Sequence, residues 1–154
     1  MSDFNLKINE DSKMGNNNLK IAIVVSKWNS TITSSLYNET KKTLQTFGVN
    51  ESNIFKNEVP GSFELIYAAK KIGINQDVDA IIAIGCIIKG ETPHFDYISQ
   101  NVTSGIKDLN ISLNKPVIFG VLTTNNLDEA IKRSSGEKNK GKEFAISAIE
   151  MTKI

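Results

Sequence analysis

The stretch Ile81-Ile82-Ala83-Ile84-Gly85-Cys86-Ile87-Ile88-Lys89-Gly90-Glu91-Thr92-Pro93-His94 decides how this chain folds. Its first half is an unbroken apolar run rich in β-branched residues, the pattern of a strand buried on both faces. Its second half turns abruptly polar at Lys89, Gly90, Glu91 and Thr92. Pro93 suits the first helical position, where its missing N–H costs nothing, with Thr92 as the capping residue before it. The reading is strand, short loop, helix start. Opening amides of such a helix lack partners and make a natural anion site. His94, the single histidine of the chain, falls in that first turn.

Upstream, Leu19–Ser26 is another nearly apolar strand, left through Lys27 and Trp28. A helix follows to about Phe47, with Leu36, Thr40, Leu44 and Phe47 on one face and Gly48 to end it. Asn53–Val59 reads as a strand, yet Lys56, Asn57 and Glu58 are too polar for mid-sheet, so it belongs at an edge. Pro60-Gly61-Ser62 turns the chain into a helix over Phe63–Ile74, with Leu65, Ala69 and Ile72 inward. Downstream of Pro93 the stripe Phe95, Ile98, Val102, Ile106, Leu109 and Leu113 marks a third helix. Pro116–Thr123 is the last strand, and Asn126–Arg133 and Lys140–Lys153 are closing helices around a polar break. Near the start, Phe4, Leu6 and Ile8 alternate with polar residues. That period of two fits a short strand on a sheet edge, of this or a neighbouring subunit, and a frayed tail equally well.

Alternating strands and helices imply a parallel sheet covered on both sides, an α/β chain built as a three-layer α/β/α sandwich. Residues 1–18 form an N-terminal segment and 19–154 a single domain, as expected for 154 residues. Eighteen basic against seventeen acidic side chains, a net charge of +1, give no reason to expect a nucleic-acid or membrane surface. No apolar run reaches the ~18 residues of a spanning helix. The first residues lack a signal-peptide core. One cysteine, Cys86, cannot form an internal disulfide and reads as an inert buried thiol. A cytoplasmic enzyme or binding domain fits these numbers, with no metal site indicated.

Ligands of such folds bind beyond the carboxyl ends of the strands. Lys27 and Trp28, then Gly61 to Glu64, then Lys89 to His94, then Thr123 to Asn125 arrive there. Each has a plainer reading. Trp28 is either a core-edge aromatic or a stacking platform. Glu64 is favoured by the helix dipole whatever its use. Gly90 and Thr92 serve as turn and cap, and Lys89 as a solvated charge. His94 is either a surface residue or a proton carrier; a helix amino terminus disfavours imidazolium, and a neutral imidazole suits proton transfer. Arg133 is either a dipole partner of its helix or a phosphate contact.

Several of these segments together resemble the lumazine synthase family. They are Pro60-Gly61-Ser62-Phe63-Glu64, then Gly85 through Tyr97, then Pro116 through Thr123, Asn139-Lys140-Gly141 and Ser147-Ala148-Ile149-Glu150-Met151. The match spans about residues 19–152 in order and in near-constant register, which a single short pattern would not do. It implies a flavodoxin-like, four-stranded parallel sheet in the order 2-1-3-4, with an N-terminal strand available to a neighbouring subunit. It also implies a cofactor-free transferase of riboflavin biosynthesis. That enzyme condenses 5-amino-6-(D-ribitylamino)uracil with 3,4-dihydroxy-2-butanone 4-phosphate.

By position, the resemblance makes Trp28 the aromatic that stacks on the pyrimidine. Ser62, Phe63 and Glu64, with Cys86, Ile87 and Ile88, match the segments that bind the ribityl chain and ring. Glu91 and Thr92 match the phosphate-binding turn, and His94 the proton-transfer residue. Phe119 and Arg133 match aromatic and phosphate contacts from a neighbouring subunit, and Lys140 a further contact near the site. Phe119 on its own pattern reads as core. Lys89 stands where arginine is common, keeping charge but losing bidentate contacts. Arg133–Gly141 is one residue shorter than the usual segment, and the absence of a long insertion there favours a sixty-subunit shell over free homo-pentamers. Riboflavin synthase is a potential enclosed partner. The rivals are a flavodoxin-like flavin-binding module, for which Ser30 to Ser35 offer a phosphate loop, and a riboflavin synthase of similar fold.

Overall fold

The computed structural model describes residues 15–154. The alternation at Phe4, Leu6 and Ile8 lies outside the described residues. Four strands form one all-parallel sheet, β1 (Ile21–Ser26), β2 (Ile54–Val59), β3 (Ala80–Ile88) and β4 (Val117–Thr124), in the order β2-β1-β3-β4. Helices α1 (Ser30–Thr46), α2 (Glu64–Asn75), α3 (His94–Ser112), α4 (Leu127–Ser134) and α5 (Gly141–Met151) complete the expected α/β/α sandwich.

The two central strands hold the core because both their faces are apolar. Ile21, Ile23 and Val25 of β1 join Ile82, Ile84 and Cys86 of β3 beneath α1 and α5. Ala22, Val24, Ile81 and Ala83 point the other way, against Leu65, Ala69 and Ile72 of α2 and Val102, Ile106 and Leu109 of α3. Period-two alternation on each strand thus feeds two separate cores. The polar strand β2 lies at an edge as its composition required, with Lys56 paired to Glu58 at 2.8 Å. Gly48 ends α1 with φ 93, the left-handed conformation expected of a helix-terminating glycine.

One local expectation fails. Thr92 does not cap α3; the helix begins at His94, and no side chain caps it. Pro93 stands at the cap position, its carbonyl accepting from the Asp96 and Tyr97 amides at 3.0 and 3.3 Å. With the first helical bonds ending on Pro93, Thr92 sits one residue too early to reach them. The opening amides of α3 are left without a side-chain partner. No helix among the described residues is long and apolar enough to cross a membrane.

Candidate active site

A parallel sheet delivers the carboxyl ends of all its strands to one rim, and the loops there are tied together by their backbones. The Lys27 amide donates to Val59 O at 2.8 Å and the Trp28 amide to Pro60 O at 3.0 Å, locking the loops after β1 and β2. The Lys89 amide donates to Thr124 O at 2.9 Å, joining the loops after β3 and β4. Between these pairs Asn29 makes the crossing: its Nδ2 donates to Cys86 O at 2.9 Å. Asn29 is the one non-glycine residue with positive φ (56°) among the described residues. Asparagine tolerates that left-handed conformation better than most residues. Its own carbonyl accepts from the Ile32 and Thr33 amides and starts α1. The residue therefore fixes a helix start and a strand end at once.

Trp28 stands at the surface of this rim. It is 66% exposed, so it is no core aromatic. Its ring lies against Gly61, where a β-carbon would come within 2.6 Å of Cε3. Only a residue without a side chain admits the ring there. Glu64 reaches back from the first turn of α2, its Oε2 accepting the Gly61 amide at 2.9 Å. That bond fixes the turn holding the ring. Ser62 is buried, its Oγ packed on Gly85 of β3. Phe63 stands exposed beside it.

Cys86 is 4% exposed, and burial pushes its thiol up to about 11. It stays protonated at neutral pH, which removes it as a nucleophile and leaves it shape and a carbonyl anchor. Ile87 and Ile88 are half-buried as β3 emerges, and Lys89, Gly90, Glu91, Thr92 and His94 are exposed. His94 occupies the first turn of α3, beside its uncapped amides. Among the described residues no group of His, Cys, Asp or Glu is arranged to hold a metal ion.

Phe119 does not join this rim within the chain, and Arg133 and Lys140 are held by contacts of their own. Phe119 pairs in register with Ala83, five residues before Ile88, and at ~3.3 Å per residue that is about 17 Å from the strand end. It is also 40% exposed, which corrects the reading of its pattern as core: among the described residues β4 is an edge strand, with no neighbour beyond it. Arg133 lies in the last turn of α4, its Nη1 donating to Glu129 O at 3.0 Å. Lys140 pairs with Glu143 at 2.7 Å and is tied to Arg133 by a backbone bond of 2.9 Å. The short segment between them is taken up by a single 3₁₀ turn, Gly136–Lys138.

A family model described as 6,7-dimethyl-8-ribityllumazine synthase matches residues 18–154. The chain belongs to the 6,7-dimethyl-8-ribityllumazine synthase family. Relatives of that name include one from Bacteroides fragilis, 50% identical over 86% of this chain and 94% of the relative. Another, from Flavobacterium johnsoniae, is 53% identical over 88% of this chain and 72% of the relative. A third, from Porphyromonas gingivalis, is 48% identical over 86% and 83% respectively. As a member of this family the chain is a transferase of riboflavin biosynthesis acting on small molecules, as the resemblance implied. Neither a flavin-binding module nor a riboflavin synthase is favoured.

Two residues of the chain carry almost no signal in the sequence alone. Asn29 was visible only as an asparagine between a strand and a helix. Asn139 was visible only as part of a motif, yet it is buried and bonded to α1.

Proposed function

We propose that the condensation proceeds at the rim built by Lys27–Asn29, Pro60–Glu64 and Lys89–His94, completed by residues of a second copy. The uracil amine forms an imine with the butanone phosphate and releases one water, phosphate is eliminated, and the ring closes with loss of a second water. Trp28 stacks on the pyrimidine, while Ser62, Phe63, Glu64 and Cys86 to Ile88 hold its ring and ribityl chain. Glu91, Thr92 and the uncapped start of α3 receive the phosphate, and His94 moves the protons. Phe119 and Arg133 enter from the neighbouring copy, with Lys140 close by.

The chemistry asks little beyond alignment and proton transfer. Holding two reactants in place contributes ~7–11 kcal/mol, and a positioned acid or base a further ~10²–10⁴-fold. A phosphate seated on helix amides orients one reactant and stabilises the dianion as it departs.

The observation that carries the composite site is the place of Phe119: exposed, on an edge strand, and far from the rim of its own chain. Thr123, on the same face of β4, lines an open groove with Ser99, Thr103 and Lys107 of α3. Exposed Trp28, Phe63, Tyr67 and Tyr97 add apolar surface that a further copy would cover. The working unit is a homo-pentamer, and the short break before α5 favours its assembly into a sixty-subunit shell able to enclose a riboflavin synthase. Residues 19–154 act as one domain, in the cytoplasm, where the lone Cys86 stays reduced.

Mixing the two substrates with the purified chain, without cofactor, should yield fluorescent lumazine and one phosphate per turnover. Full activity in a particle with the mass of one chain would overturn the shared site.

A further inference from the structure

We propose that Asn139 is the positioning residue that sets Arg133 and Lys140 for the phosphate-bearing substrate. The inference rests on the phosphate role proposed above for Arg133. The two cations flank a detour of the chain, Ser134 to Asn139, and every tie that closes the detour runs through or beside Asn139.

Asn139 is 6% exposed and its amide is used on both sides. Nδ2 donates to Ser134 O at 2.7 Å and lies 3.4 Å from both the carbonyl and the hydroxyl of Ser35 on α1. Oδ1 accepts the Gly141 amide at 2.9 Å. Ser35 Oγ donates to the same Ser134 carbonyl at 2.5 Å. The residue after Arg133 and the residue after Lys140 are thus held by one side chain.

Helix α1 supplies the fixed wall. A β-carbon on Gly141 would come within 2.5 Å of Leu36 O and 2.9 Å of Thr40 N, so the start of α5 touches the α1 backbone. Thr40 Oγ1 bonds Gly141 O at 3.1 Å. The Lys140 amide meets Arg133 O at 2.9 Å and closes the ring. Only a group that donates and accepts at once fits between Ser134 O and the Gly141 amide. A carboxylate of the same size cannot donate, and a methyl leaves a buried N–H without a partner.

Among the described residues neither cationic side chain bonds to a buried group. Arg133 rests on Glu129 of its own helix and Lys140 on Glu143 of its own, both by single bonds. Their backbone positions are therefore inherited from the junction.

The test is a KM-against-kcat split read through a double-mutant cycle, with intact oligomer throughout. Asn139→Asp should raise KM for 3,4-dihydroxy-2-butanone 4-phosphate about ten- to a hundredfold. KM for the pyrimidine and kcat should stay within about twofold, with particle mass unchanged. Ser35→Ala, which spares the asparagine, should move KM in the same direction by less. In an Arg133→Ala background the effect of Asn139→Asp should shrink, leaving only the part transmitted through Lys140. Effects that multiply instead overturn the inference, as does an unaltered KM in Asn139→Asp. If Asn139→Asp fails to assemble, the Ser35→Ala cycle with Arg133→Ala decides by the same criterion. An Arg133→Ala enzyme with normal KM would fail the phosphate assignment itself, a separate result from non-additivity.

Discussion

Trp28 and Gly61 occupy one another's space: the indole lies where any side chain at Gly61 would stand, 2.6 Å from a β-carbon built there. The turn after β2 therefore determines the tilt of a ring that belongs to the loop after β1.

Trp28→Ala should raise KM for the pyrimidine, in keeping with the ~1–3 kcal/mol that a base gains on an aromatic platform. Gly61→Ala should move it in the same direction by displacing the ring, while thermal unfolding shifts little, because the indole is solvent-facing. Steady-state kinetics against the pyrimidine check both, and normal KM in the two variants would return Trp28 to a bystander.

His94 is exposed in the first turn of α3, so its removal should spare the fold. Loss of a positioned acid or base costs ~10²–10⁴-fold in rate, against stability changes within about 0.5 kcal/mol. Single-turnover measurement of lumazine formation by His94→Ala separates the two. Unchanged turnover takes His94 out of the chemistry.

Burial lifts the Cys86 thiol to about 11. A shift of that size leaves about a hundredfold fewer thiolates near pH 8 than a free cysteine has. The folded protein should then react slowly with thiol reagents, quickening only as the pH climbs toward the raised value, whereas unfolded chain should react at once. Equal rates before and after denaturant would show that the strand end opens.

Asn126 caps α4, its side chain accepting the Glu129 amide at 2.9 Å, and Glu129 Oε2 accepts the Asn125 amide in return at 3.0 Å. Asn126→Ala should cost about 1 kcal/mol of stability, the usual worth of such a cap. The Asn125 amide is the main cause that holds the Glu129 carboxyl below its ordinary range. A depressed folded value means that this support is complete above the ordinary glutamate range and is lost as pH falls through the folded value. Amide protection across α4, taken relative to the intrinsic exchange rate at each pH, should fall on acidification, and in Asn126→Ala it should be low already at neutral pH. Exchange indifferent to both would mean that packing alone holds the helix.

The layers and the site rim could be read because they depend on neighbours in sequence. Ile81–Ile88 announced a doubly buried strand, and Lys56 to Glu58 an edge, from side-chain chemistry alone. The expected Thr92 cap does not form, because that reading turned on a single residue and helix starts are ambiguous at that scale. Phe119 carries the apolar pattern of a core strand; its exposure follows from where β4 falls in the sheet, which no local pattern records. Asn139 was the least visible, since its partner Ser35 stands 104 residues away. A buried amide looks like a loop amide until the chain has closed around it.

The charged side chains along β2 also bear on the chain when it has just been made. An outermost strand with free amides and carbonyls is a template on which other chains can stack without limit. Lys56, paired with Glu58 and lying 4.8 Å from the centre of the Tyr37 ring, plants a cation on that ledge. Newly made protein is thereby shielded from amyloid-like pairing along its polar side.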